Sequence, residues 1–112
     1  MVRVAVAALL SLSYCAAFAD RITELQPAER CAYTAKLYVA GYYYYLQGKS
    51  REEVKVHWHG DETQNEIDFV TRTLDAAFAR VEAIKRKDPN AFLSETAFGD
   101  EAYLACISGA EL

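Results

Sequence analysis

The placement of three cysteines, Cys15, Cys31 and Cys106, constrains this chain more than any other feature, because the first of them lies in a stretch that is expected to be removed. The chain opens MVRVAVAALLSLSYCAAFAD, with a basic Arg3, an apolar run from Val4 to Ala19, and the small-x-small triplet Ala17-Phe18-Ala19 ahead of Asp20. That layout is the one of a cleavable secretory signal. Residues 1–19 are therefore expected to be a signal peptide and residues 20–112 a single domain, periplasmic or secreted. The apolar run falls short of the roughly 20 residues that a membrane helix needs, and Tyr14 stands where a lipoprotein signal requires a small side chain. No membrane association is expected after cleavage.

Two cysteines then remain in an oxidising compartment, and the economical expectation is a disulfide between Cys31 and Cys106. Closing so long a loop contributes about 4–5 kcal/mol in the chain-entropy account, a large share of the ~5–15 kcal/mol that holds an ordinary domain together. Neither cysteine has the CxxC neighbour of a redox thiol.

Between the cysteines the pattern is helical. Pro27 suits a first helical position, and the segment to Gln47 ends at Gly48, which suits a left-handed cap. Ala28, Cys31, Ala35, Tyr38, Tyr42, Tyr45 and Leu46 recur with the period of one helix face. Ser50-Arg51-Glu52-Glu53 is a capping box, which predicts a short second helix from Arg51 to about His59, stopped by Gly60. From Glu62 to Lys87, with Asp61 as the cap, Ile67, Val70, Leu74, Ala77, Phe78, Val81 and Ile84 form an unbroken apolar face. Lys85, Arg86 and Lys87 suit the negative end of that helix dipole. After Pro89 comes a loose stretch with Phe92 and Phe98, then a last short helix from Asp100 to Ser108 with Ala102, Tyr103, Cys106 and Ile107 inward. The expected fold is all-α, a small bundle of four to five helices stapled by one disulfide.

The formal charge of −4, which becomes −5 once Arg3 is removed, argues against nucleic acid or an anionic membrane as partner. No Gly-x-Ser-x-Gly elbow, Gly-rich phosphate loop or CxxCH haem motif occurs, and the acids fall on polar faces or at helix starts. No enzymatic activity and no cofactor are expected.

The stretch VKVHWHGDE raises a metal question, since His57 and His59 bracket Trp58 and are followed by Asp61 and Glu62. On a helix, residues two apart point about 200° away from each other and cannot share an ion. On a strand they would point the same way. The capping box favours helix, whereas Val54, Val56 and Trp58 alternate as a strand does. The expectation is no metal, with His57 and His59 as the only candidates.

Four consecutive tyrosines in AGYYYYLQGK cannot share a helix face, because successive residues are about 100° apart. Tyr44 lies with Tyr33, Leu37 and Ala40 on a second apolar stripe nearly opposite the Cys31 stripe. Either the first long helix is sandwiched within its own domain, or the second stripe meets another protein or a second copy in a homodimer, a role for which tyrosine is well suited. Tyr33, Leu37 and Tyr44 are thus the candidate interaction surface, and a protein-binding module is the leading functional expectation. In plan alone, with no motif to carry it, a small exported helical domain with one long-range disulfide resembles periplasmic immunity proteins against interbacterial toxins and small acid-stress chaperones. Two readings then compete: a specific binding protein that forms a stoichiometric complex, and a general chaperone or structural component that binds many unfolded clients or none.

Overall fold

The segment from Pro27 begins as its sequence dictates: Gln26 and Glu29 form a reciprocal cap, Pro27 opens the helix, and the chain stays helical as far as Leu46. In a computed structural model that describes residues 21–109, four α-helices follow one another: α1 (Arg21–Glu24), α2 (Pro27–Leu46), α3 (Gln64–Lys87) and α4 (Glu95–Ser108). A single 3₁₀ turn, Arg51–Glu53, lies between α2 and α3. The described residues are all-helical with no strand, as the periodicity requires. The signal-peptide reading of residues 1–19 lies outside the described residues.

Helix α2 is the centre of the bundle. The middle of the Cys31 stripe packs inward, whereas Ala28 and Leu46 at its ends are exposed: Tyr38, Tyr42, Ala77, Val81, Phe98 and Ala102 form one buried cluster drawn from α2, α3 and α4. Phe98 stacks on Tyr42 at 4.8 Å between ring centroids and meets Tyr38 at 5.7 Å. The Tyr42 hydroxyl donates to the Leu93 carbonyl and accepts from the Leu93 N–H, so a buried phenol is satisfied by the turn that leads into α4. Two glycines set the helix spacings. A Cβ on Gly41 would sit 2.9 Å from the Cβ of Ala77 on α3, and one on Gly99 would sit 2.7 Å from Val39 on α2. The inward face of α3 is the expected one, with Val70, Leu74, Ala77, Phe78 and Val81 buried.

The disulfide joins Cys31 on α2 to Cys106 on α4, with Cα atoms 5.5 Å apart and a sequence separation of 75. An ion pair from Arg80 to Glu101, with Nε and Nη2 at 3.2 and 3.1 Å from the two carboxylate oxygens, ties α3 to α4 on the bundle's surface.

Three expectations about boundaries are corrected. The helix forecast from Arg51 to His59 ends at Glu53: its capping box is present, but Val54 takes up an extended conformation and is buried. Burial of a β-branched residue has overruled the local cap, which closes only one turn. Helix α3 begins at Gln64 rather than Glu62, because Thr63 and Glu66 form the capping box and Asp61 does not cap it. Helix α4 begins at Glu95, capped by Ser94, so Phe98 is a helical core residue and not part of a loose stretch. Ile107, expected inward, is 49% exposed.

Candidate functional site

On the far side of α2 the second stripe is neither sealed nor bare. Tyr33, Leu37, Ala40 and Tyr44 line a groove of about 470 Å³ whose other wall is the stretch Val54 to His59 and whose floor includes Val70 and Leu74 of α3. Leu37, Ala40 and Tyr44 are half-buried, and Tyr33 is 37% exposed while its ring lies 5.7 Å from that of Phe69. The volume falls within the ~300–1,000 Å³ of ordinary binding pockets.

The wall of this groove is the segment that the helix forecast misassigned. Val54 is buried and Val56 half-buried, while Lys55, His57 and His59 are exposed, so exposure alternates with the two-residue period of an extended strand. Trp58 is 39% exposed at the rim. Anchors fix the segment at both ends. At its start, Arg51 Nη1 donates to the Val54 carbonyl at 3.2 Å while Arg51 Nε lies 2.6 Å from Asp75 on α3. At its end, the backbone N–H groups of His59 and Gly60 donate to the Glu62 carboxylate at 2.8 and 2.9 Å. Those two donors hold the Glu62 carboxyl below its ordinary pKa.

A second carboxylate closes the end of the groove. Glu66 is buried at the first turn of α3 and accepts from Arg21 Nε at 2.8 Å and Arg21 Nη2 at 3.2 Å, which latches α1 to α3. It also accepts the Thr63 N–H at 2.8 Å. The Arg21 hydrogen bond, followed by the Thr63 N–H, lowers the Glu66 pKa. Ile22, one residue along α1, is buried and lines the same groove.

The structure divides the candidate histidine pair. His59, Asp61 and Glu62 each bring a ligand atom within 4.8 Å of one another, and His57 does not belong to that group. The Glu62 carboxylate in this trio is already engaged by two backbone donors, so the arrangement caps a loop. No helix forms at His57 and His59, so the 200° divergence of helical residues two apart does not apply to them.

Sequence reasoning found four of the groove residues, Tyr33, Leu37, Ala40 and Tyr44, and did not assign Arg21, Glu66, Val56 and Trp58 to it. The strand-like alternation of Val54, Val56 and Trp58 was the signal for the missing wall. Nothing local signals the Arg21–Glu66 latch, which joins residues 45 apart.

Comparison of the chain with protein-family models, with curated proteins and with solved structures gives no match.

Proposed function

We propose that this protein is a small exported, non-enzymatic protein-binding module, and that the groove between α2 and the Val54–His59 segment receives part of a partner polypeptide. The observation that supports this reading is the half-open second stripe. Burying Tyr33, Leu37 and Tyr44 completely would favour the fold by about 25 cal/mol per Å² of apolar surface, yet the chain leaves them lining a groove. Two anchors prop the opposite wall instead of letting it collapse onto α2. Tyrosine gives such a surface large contact area with a polar tip, which is why it recurs at binding sites.

Site-specific photo-crosslinking in the native cell tests this. A photoreactive phenylalanine in place of Tyr44 should give an adduct of discrete mass with another polypeptide, and the same residue in place of the exposed Tyr43 should not. Absence of an adduct at Tyr44, or the same adducts from both positions, would refute the groove as a binding surface.

A further inference from the structure

The wall of the groove carries a feature that selects the form of its occupant. Among the described residues, the backbone N–H groups of Lys55, Val56, His57 and Trp58 donate to no atom of the protein, whereas those of Val54 and His59 on either side are paired with Arg51 and Glu62. A row of unpaired peptide groups with strand-like alternation is a template for another strand. Because both ends are anchored, this edge is already ordered and an added strand meets a small entropic cost.

We propose that the groove takes an extended segment of a partner protein by strand addition along Lys55 to Trp58, and that this segment alternates acidic with apolar residues. The inference rests on the binding-module reading above and specifies its mode and chemistry. The apolar positions follow from the groove, where alternate side chains of an added strand meet Leu37, Tyr44 and Val56. The acidic positions follow from the charge of the edge. Lys55, His57 and His59 are exposed along it, and Lys55 has no ion-pair partner among the described residues. The acids beside the groove are occupied, Glu66 by Arg21 and Thr63, Glu62 by the N–H groups of His59 and Gly60. Neither carboxylate is paired with Lys55, which is therefore the cation of this edge left to meet an acid on the occupant.

Two other occupants fit less well. A second copy paired antiparallel about His57 would set Lys55 against His59 and His57 against itself, and so would offer Lys55 no acid. The chain's own residues 1–19 include no aspartate or glutamate to meet this edge.

The test uses the protein purified from the exported fraction and a short capped peptide that alternates glutamate with valine. Trp58, the only tryptophan in the chain, reports binding through its fluorescence. The peptide should shift its emission saturably. Methylating the peptide's alternate amide nitrogens on the edge-facing side should weaken binding about tenfold or more, the effect of removing one or two hydrogen bonds. Lys55→Glu should weaken binding about tenfold as well, and exchanging the peptide's glutamates for lysines should restore it in that variant. No response to the peptide, or equal affinity for the methylated form, would overturn strand addition. So would a dimer, seen by sizing, that Lys55→Glu abolishes. A crosslink from Tyr44 without any response to the peptide would refute this mode alone and leave the groove reading standing.

Discussion

Tyr42 and Tyr44 stand two residues apart on one helix and have opposite fates. Tyr42 is 3% exposed, stacked on Phe98, with its hydroxyl bonded to both polar backbone groups of Leu93. Tyr44 faces a groove and is half-buried. The difference lies in what covers each side of α2. Long helices cover the Tyr42 side, and Gly41 and Gly99 let them approach until no room for a Cβ remains. On the Tyr44 side α3 supplies only the floor, and the facing wall is an irregular segment held by Arg51 at one end and Glu62 at the other. A helix surface seals by interdigitating side chains along its length, and a strap fixed at two points leaves a gap. The same helix thus carries a core and a binding surface.

The largest expected effect concerns the closed side. Reducing the Cys31–Cys106 bond, or replacing both cysteines with serine, should cost about 4–5 kcal/mol, measured by urea unfolding with and without reductant. A loss that small molecules of reductant fail to produce, with the midpoint unchanged, would mean that packing alone fastens α4 to α2.

A smaller effect belongs to the open side and depends on pH. The Glu62 and Glu66 carboxyls are held below their ordinary pKa, the first by the N–H groups of His59 and Gly60, the second by Arg21 and then Thr63. A carboxyl whose pKa is lowered on folding stabilises the fold above the unfolded value, about 4.3 for glutamate, and that contribution is lost as the pH falls through the lower native value. Melting temperature should therefore drop as the solution is acidified below about pH 4. In Glu66→Gln the melting temperature at neutral pH should be lower and the acid-dependent drop shallower. An unchanged acid profile in that variant would show that the Arg21 latch does not hold α1 in place.

How much of this was legible in the sequence follows the same division. The closed side was almost fully readable: the 3.6-residue period of α3, the Pro27 start and the lone pair of cysteines all reflect forces that act along one helix or through one covalent bond. The start of α4 was missed because Ser94 offers a cap without the glutamate three residues on that α2, the Arg51–Glu53 turn and α3 display. The open side was only half-readable. Tyr33, Leu37 and Tyr44 stood out as a second stripe, but their cover was misassigned, since the Ser50–Glu53 box promised a helix that burial of Val54 then prevented. The Arg51–Asp75 contact is set by tertiary geometry, the Glu62 turn is local, and the alternation of Val54, Val56 and Trp58 pointed towards the wall they hold.

The central claim, one helix with a sealed side and an open side, is tested most directly by unfolding Tyr42→Ala and Tyr44→Ala side by side in urea. Tyr42→Ala removes a fully buried aromatic ring and should cost about 3–5 kcal/mol. Tyr44→Ala trims a groove wall and should cost about 1 kcal/mol, the ordinary size for a substitution that opens no cavity, while abolishing the peptide response. Equal losses of about 3 kcal/mol or more from both variants would contradict the account and make the second stripe a second core.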